Sequence, residues 1–213
     1  MTGPHNHIVD GAVGELDWGA ANRVVVGGGQ AYADLIENLR QLQNGLADAH
    51  LDEQEAADIN VQLTEIVQTV QTNRFTRDRP RQYGRRHDLI GRAQTYVPAF
   101  TLDSQTDSEV RGSVSFGSYY HGDGGALHGG TVPLLFDEVL GHLCHRGGRK
   151  PARTAFIKAD FRSITPLNKQ LIIEGQIDRI EGRKRFVSGR LLDGDRLCAE
   201  VTALFVELLP GQR

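Results

Sequence analysis

The chain has 213 residues, 39% of them hydrophobic and 24% charged, a composition typical of a folded domain and not of a disordered chain. The net charge of −3 argues against a chain-wide nucleic-acid surface, and no apolar run approaches the length of a membrane span. Two cysteines, Cys144 and Cys198, are too few for a disulfide framework, and the N-terminus lacks the features of a secretory signal. We therefore expect a cytoplasmic protein without a membrane span.

The N-terminal third of the chain predicts an arm followed by two helices. Residues 1–30 are rich in glycine and show no periodicity, so we expect a flexible arm. Residues 31–73 carry two apolar stripes with helical spacing, which are Leu35, Leu39, Leu42 and Leu46, and then Ala56, Ile59, Leu63, Ile66 and Val70. Asp52 and Glu55 predict a capping box at the start of the second helix. We expect a helical hairpin that buries its stripes against the main domain or a second subunit.

The segment from residue 74 to residue 92 is strongly basic. It holds seven arginines against two aspartates, and the arginines are Arg74, Arg77, Arg79, Arg81, Arg85, Arg86 and Arg92. Such a density of guanidinium groups can bind phosphates. A solvated linker broken by Pro80 and Gly84 explains the same composition, and both interpretations stay open. We assign residues 31–107 to the helical hairpin and this basic linker.

Residues 108–213 show the pattern of an α+β domain. A strand over 110–120 is followed by a glycine-rich loop over 121–130 and a helix over about 131–145. The core stripe of that helix is Val132, Leu135, Phe136, Val139, Leu140 and Leu143. Four further strands are predicted at 152–163, 170–180, 185–193 and 196–208. We expect these four strands to form a meander in an antiparallel sheet that wraps around one long helix.

Several common catalytic signatures do not occur in the sequence. There is no G-x-S-x-G nucleophile elbow, no P-loop, and no dinucleotide-binding glycine motif placed between a strand and a helix. The histidines of this region, with Cys144, match no structural zinc spacing; they are His121, His128, His142 and His145. We therefore expect no metal.

The strongest chemical feature is His128-Gly129-Gly130 at the start of the predicted helix, followed by Asp137. The two glycines allow a close approach of the backbone to a ligand, and the helix start offers N–H groups and the positive end of the helix dipole. Such a helix start can stabilise an oxyanion. Asp137 lies about 100° from the centre of the core stripe on the helical wheel, so its carboxylate faces a cleft or an interface. There it can act as a general base or a nucleophile, or serve as an interface or capping carboxylate.

Further motifs surround this feature. Val114-Ser115-Phe116-Gly117 ends the first strand, and the acid follows the histidine of the His-Gly-Gly triplet by nine positions. With the segments 161–167 and 181–188, these motifs resemble the hotdog-fold acyl-CoA thioesterases of the PaaI type. The sequence is similar in particular to the vertebrate thioesterase superfamily members 4 and 5. The resemblance runs from Val114 to Leu208, which is less than half of the chain.

The resemblance implies an α+β hotdog fold and the hydrolysis of acyl-CoA thioesters to a free acid and coenzyme A. It implies that Gly129, beside His128, donates the oxyanion N–H and that Asp137 is the catalytic carboxylate. Thr154, seven residues before Phe161, is implied to orient water or Asp137 from the partner subunit. The turn near the thioester comprises His121, Gly122 and Gly130. Gly122 stands where some family members carry an asparagine, and members 4 and 5 share this departure.

A CoA substrate also implies cations near its phosphates. The candidates are Arg162, Arg183, Lys184 and Arg185, and solvated hairpin charges are the alternative interpretation. Coenzyme A is part of the substrate, so no separate cofactor is expected. A site split between subunits and an exposed sheet edge imply a homodimer or a dimer of dimers.

Two other functions stay open at this stage. One is a non-catalytic acyl-CoA-binding module. The other is a hotdog enoyl-CoA hydratase, which pairs an aspartate with a histidine five residues later on one helix. His142 stands at that spacing from Asp137.

Overall fold

A computed structural model describes residues 27–76 and 80–211 of the chain. Within these ranges it contains three α-helices, which are α1 (Gly29–Asp48), α2 (Glu53–Thr72) and α3 (Thr131–Cys144). The same ranges contain six strands, which are β1 (Phe100–Gln105), β2 (Glu109–Ser115), β3 (Ala152–Phe161), β4 (Gln170–Glu181), β5 (Lys184–Asp193) and β6 (Arg196–Glu207). The predicted α+β class is confirmed. Most of the predicted arm, residues 1–26, lies outside the described residues.

The strands form one antiparallel sheet in the order β1-β2-β4-β5-β6-β3. The predicted meander of four strands is wrong in one respect, because only β4, β5 and β6 follow each other as neighbours. β3 instead pairs with β6 and forms an edge of the sheet. Glycine occupies the turns of the two hairpins, β4–β5 and β5–β6, since Gly182 (φ 57°) and Gly194 (φ 61°) adopt the left-handed backbone that tight turns require.

The core lies between α3 and the concave face of the sheet. The predicted apolar stripe of α3 is buried completely, with exposures of 0–1% for all six of its residues. Gly189 of β5 allows the closest contact, because a Cβ at this position would lie 2.3 Å from the ring of Phe136. Burial of each such side chain stabilises the fold by roughly 1.5–3 kcal/mol. This packing fixes the rotation of α3 and so determines which flank carries Asp137.

The two N-terminal helices form as predicted. The capping box at Asp52 and Glu55 is present, and the Asp52 side chain accepts from the Glu55 N–H at 2.8 Å. α1 packs on the domain through Ile36, which is buried, and through Arg40, which donates to the Gln94 carbonyl at 2.8 Å. The predicted stripe of α1 is only partly covered within the chain, because Leu35 and Leu46 are 43% and 46% exposed. None of the described helices combines the length and apolar character needed to cross a membrane.

The second apolar stripe does not pack on the main domain. No residue of α2 is buried, and Ile66 and Val70 are 50% and 59% exposed. The main-domain alternative for this stripe is therefore wrong. Burial of α2 against a second subunit stays a prediction.

Candidate functional site

The loop that leads into α3 is held from both sides. The His128 N–H donates to the Tyr120 carbonyl (2.8 Å), and the Leu127 N–H donates to the Thr165 carbonyl (3.0 Å). From α1, the Asn44 Oδ1 accepts a hydrogen bond from the Tyr119 N–H (3.0 Å). The helical extension and the connection before β4 therefore both position the glycine-rich segment.

Gly122 leaves no space for a side chain in the turn before the loop. A Cβ at this position would lie 2.9 Å from the Cα and 3.0 Å from the backbone nitrogen of His128. The asparagine found here in some family members would therefore have to displace backbone atoms. His121, beside it, is exposed and forms a backbone bridge with Leu127.

The His128 ring caps the start of α3. The Gly130 N–H donates to His128 Nδ1 (3.1 Å), so this nitrogen carries no proton and a neutral ring holds its proton on Nε2. The exposed Gly129 N–H has no hydrogen-bond partner in the part of the chain that the structure describes. One backbone donor at the positive end of the α3 dipole is thus available to a ligand oxygen.

Asp137 is held by a threonine of the neighbouring strand. Thr154 Oγ1 donates a 2.6 Å hydrogen bond to Asp137 Oδ1. The β3–β6 register shifts between Thr154 and Phe156, and a bulge of this kind changes the direction of a side chain. The bond forms within one chain, so the expectation that Thr154 orients Asp137 from the partner subunit is wrong. The alternative, that Thr154 orients water, stays a prediction.

The Gly129 N–H and the Asp137 carboxylate are separated along α3. Asp137 is the seventh residue of the helix, which begins at Thr131. At 1.5 Å per residue, its Cα lies about 9 Å along the axis from the first helical residue. Reacting atoms lie within about 3.5 Å of the groups that act on them. This separation favours an arrangement in which the Gly129 N–H and the Asp137 carboxylate act on one carbonyl group from different copies of the chain.

Asp137 and His142 point towards opposite edges of the sheet. Asp137 bonds to Thr154 on β3, whereas His142 Nε2 lies 3.0 Å from Oε1 of Gln105 on β1. β1 and β3 are the two edge strands. A five-residue separation also places two helical side chains about 140° apart. This arrangement does not form the aspartate–histidine pair that the hydratase alternative needs.

Glu138, directly after Asp137, forms an ion pair with Arg92 of the basic linker. Burial raises the pKa of Glu138, and the Arg92 guanidinium partly opposes that rise. The pair draws the linker against the flank of α3 beside Asp137. Sequence spacing did not indicate this contact, because its two members are 46 residues apart.

Three of the four predicted CoA-binding cations are exposed, at the two ends of α3. Arg162 follows Phe161, whose ring lies 3.5 Å from the place where a Gly129 Cβ would be. Arg183 donates to the Glu207 carbonyl (2.9 Å) at the opposite end of the helix, with Lys184 beside it. A 14-residue helix is about 21 Å long, so the two groups lie far apart within one chain.

Arg185 is not available to a ligand, so its assignment as a CoA-binding residue is wrong. Its side chain is 3% exposed, and it donates to the carbonyl of Cys144 (2.9 Å) and to Glu207 (3.2 Å). The Arg185 guanidinium thus satisfies a backbone carbonyl at the C-terminal end of α3. The sequence contained the signal for this role, because Arg185 shares its strand face with Val187 and Leu191, which are both buried.

The cysteines offer no second nucleophile near the site. Cys144 and Cys198 are both buried and unlinked. Burial raises the pKa of the Cys144 thiol to about 11, which keeps it protonated at neutral pH. Among the described residues, no cluster of three or more His, Cys, Asp or Glu side chains could hold a metal ion.

Comparison with known proteins identifies the domain that carries these groups. Residues 124–200, which contain the loop, α3 and the strands up to β6, match the family model described as Thioesterase superfamily. This part of the chain is similar to the domains of that superfamily. A crystal structure of a thioesterase superfamily protein superposes with a TM-score of 0.73 at 26% identity, and the match covers 85% of this chain and 97% of that chain. The sheet wrapped around α3 is accordingly the predicted hotdog fold.

The same part of the chain also aligns with curated relatives. It is 36% identical over 100 residues to the acyl-coenzyme A thioesterase THEM4 of Xenopus laevis and 38% identical over 96 residues to that of Bos taurus. Each alignment covers 44% of this chain, and the two cover 43% and 39% of the relatives. The matched stretch thus spans less than half the length of either relative.

Proposed function

We propose that this chain hydrolyses acyl-CoA thioesters to a free acid and coenzyme A. The observation that carries the proposal is the hydrogen bond from Thr154 to Asp137, which holds a carboxylate on the flank of α3 in a part of the chain similar to thioesterase superfamily domains. The relatives named acyl-coenzyme A thioesterase support the choice of substrate class.

In the proposed reaction, the Asp137 carboxylate takes a proton from water, and the resulting hydroxide attacks the thioester carbonyl carbon. Direct attack by Asp137, which gives a mixed anhydride that water then hydrolyses, uses the same geometry. In both routes the carbonyl oxygen becomes an oxyanion, and the Gly129 N–H donates to it. The C–S bond then breaks, and the thiolate of coenzyme A leaves as the thiol after it takes up a proton, from Asp137 in the first route and from water in the second.

The separation of Gly129 and Asp137 makes this a composite site. Because about 9 Å of helix separates the two groups within one chain, we infer that the loop of one copy acts with the Asp137–Thr154 pair of a second copy. The exposed edge strand β3 carries Thr154 and two exposed aromatic residues, Phe156 (48%) and Phe161 (55%). Pairing along this edge would bury them and remove an open sheet edge. A homodimer is therefore the smallest active unit that we propose.

The composite site also accounts for the positions of the exposed cations. Within one chain, Arg162 lies at the start of α3, and Arg183 and Lys184 lie at its end. A second copy brings further cations towards the first copy's loop, so that the phosphates of one CoA can meet groups from both chains. We therefore keep these three residues as proposed CoA contacts.

Thiol release distinguishes the proposed function from its alternatives. The full-length protein is incubated with short, long and aromatic acyl-CoA esters, and free CoA is measured with a thiol reagent. We expect turnover with at least one class. Loss of enoyl absorbance from an enoyl-CoA without thiol release would instead indicate a hydratase, and tight binding without any turnover would indicate a binding module.

A further inference from the structure

The helix α2 presents an apolar stripe that the rest of the described chain does not cover. The helix is 20 residues long and begins at a complete capping box, yet none of its residues is buried within the described parts of the chain. Ile66 and Val70 are 50% and 59% exposed. In proteins, most of the stability of a helix comes from the packing of its amphipathic face. The stripe therefore needs a partner surface.

The spacing of this stripe is that of a coiled-coil seam. Its members follow one another at intervals of three, four, three and four positions, and they are Ala56, Ile59, Leu63, Ile66 and Val70. This alternation is the a/d pattern of a heptad repeat, in which one helix packs its seam against the seam of another. Of the α2 positions that flank the seam, only Val67 is apolar. Such a narrow stripe favours a second helix as the partner over a broad sheet face.

The charges of α2 favour an antiparallel second copy of the same helix. The helix has no basic residue and four acidic ones, which are Glu53, Glu55, Asp58 and Glu65. Arg74, the first basic residue after the helix, is exposed. A parallel copy would place the acids of the two chains side by side. An antiparallel copy instead places Arg74 of each chain beside the acidic first turn of the other, and it also opposes the two helix dipoles.

One antiparallel register pairs all the seam positions. The facing pairs in this register are Leu63 with Ile66, Ile59 with Val70, and Ala56 with Asn73. The arrangement is two-fold symmetric, so each pair occurs twice. On the flank of the seam, the same register brings Glu53 of one copy close to Arg74 of the other. Charged residues at such flanking positions determine the partner and the orientation of a coiled coil.

We propose that α2 pairs with α2 of a second copy of this chain as an antiparallel two-helix coiled coil. The apolar spacing selects a helix as the partner, and the charges select its orientation. The contact shares no residue with the β3 edge and does not depend on the proposed function. It assigns a partner to the stripe that the main domain leaves exposed.

Paired cysteines test the contact directly in the full chain. Ile59→Cys/Val70→Cys places two thiols about 17 Å apart along one helix, too far for a disulfide within the chain. Across the proposed seam, the same two positions face each other. The matched control, Ala57→Cys/Gln68→Cys, has the same spacing on exposed positions that point away from the seam. The two native cysteines are buried.

Each variant is oxidised mildly at micromolar concentration, and the products are separated under non-reducing conditions. We expect the seam variant to form a species of twice the chain mass at least roughly tenfold faster than the control, because its thiols are held together by the paired helices. Circular dichroism establishes that both variants are folded.

An exchange of charges tests the orientation. In the seam-cysteine protein, Glu53→Lys and Arg74→Glu each place like charges together, and each should slow the cross-linking roughly threefold or more. The double variant restores opposite charges between the copies and should recover the rate to within about twofold. Both substitutions oppose the dipole of α2, so within one chain the double variant is the least favourable. Its recovery therefore reports a contact between two copies.

Cross-linking of the seam variant no faster than that of the control would overturn the inference, because another segment or surface would then cover the stripe. Rapid cross-linking without recovery in the double charge variant would overturn the antiparallel orientation. If the cysteine variant does not fold, the three charge variants of the otherwise unchanged chain are compared by sedimentation equilibrium. The association constant should then fall in both single variants and recover in the double variant, and equal constants in all of them would overturn the inference.

Discussion

The two halves of the candidate site are built in different ways. The loop half offers a backbone group, the Gly129 N–H, which is positioned by hydrogen bonds of neighbouring residues and by the start of α3. The helix half offers side chains, Asp137 and Thr154, which are positioned by a buried helix face and a strand bulge. The loop half tolerates side-chain substitutions that leave the backbone in place. The helix half depends on the carboxylate of Asp137 and the hydroxyl of Thr154. Their separation along one helix is the basis of our proposal that each chain contributes one half to each of two sites.

The largest expected effect tests the helix half. Asp137→Asn preserves the shape of the side chain and removes its ability to take a proton or to attack. We expect kcat/KM for an acyl-CoA to fall on the order of 10²–10⁴-fold. Steady-state thiol release measures the loss. Turnover within a factor of a few of the unchanged protein would remove Asp137 from the reaction.

A smaller effect is expected at its hydrogen-bond partner. Thr154→Ala removes a donor that orients the carboxylate, and the net charge does not change. We expect a roughly tenfold fall in kcat, about 1.4 kcal/mol. Thr154→Ser keeps the hydroxyl and should restore most of the rate. If the serine and alanine variants behave alike, the hydroxyl does not position Asp137.

The hairpin cations test binding separately from chemistry. Arg183→Ala with Lys184→Ala should raise KM for acyl-CoA several-fold and leave kcat nearly unchanged, because the nucleotide binds equally in ground and transition states. A short thioester without a nucleotide serves as the control substrate. Equal effects on both substrates would show that Arg183 and Lys184 maintain the structure and do not bind the nucleotide.

The smallest effect concerns the pH dependence of stability at the end of α3. His145 Nε2 accepts from the Ala152 N–H (3.1 Å), two residues before Thr154, and burial lowers the pKa of His145 to about 4. The unfolded chain, with an ordinary histidine pKa near 6.5, binds this proton first as the pH falls. The contribution of His145 to stability is therefore complete above pH 6.5 and is lost progressively between about 6.5 and 4.

Thermal unfolding measured across this pH range checks the expectation. The fall in Tm should be shallower in His145→Gln than in the unchanged protein. His50, which is exposed between α1 and α2, provides the control substitution His50→Gln. An identical pH profile for all three proteins would contradict the role assigned to His145.

Comparison of α3 with α2 shows what the sequence could predict. Both helices follow from the spacing of their apolar residues, and the capping box at Asp52 is visible in the sequence. The spacing of the apolar residues does not identify the surface against which a helix packs, however. Within the single chain the stripe of α3 is buried, whereas that of α2 is not. A stripe needs a complementary surface, and that surface is a property of the whole fold and of any assembly.

Other differences have equally specific causes. The sequence does not predict β1, because the inward face of this edge strand holds only Phe100 and Leu102, and so short an alternation is not distinctive. The charge of Arg185 predicts a ligand contact, whereas its place in the alternation of β5 predicts burial, and burial is what the structure shows. The resemblance identifies Asp137, Thr154 and the glycine loop as candidates, and their separation along α3 is a second argument for the division between two copies that we propose.

The composite site is tested most directly by combining two damaged chains. Asp137→Asn damages the helix half, and Gly129→Pro removes the loop N–H at a position where an added Cβ meets only the Phe161 ring, at 3.5 Å or more. Each variant carries a different tag, and the mixed dimer is purified by both tags after co-expression. We expect inactive parents and a mixed dimer with about half of the activity of the unchanged protein, because one of its two sites has both groups intact. A mixed dimer as inactive as its parents would show that the two groups do not combine across the subunits.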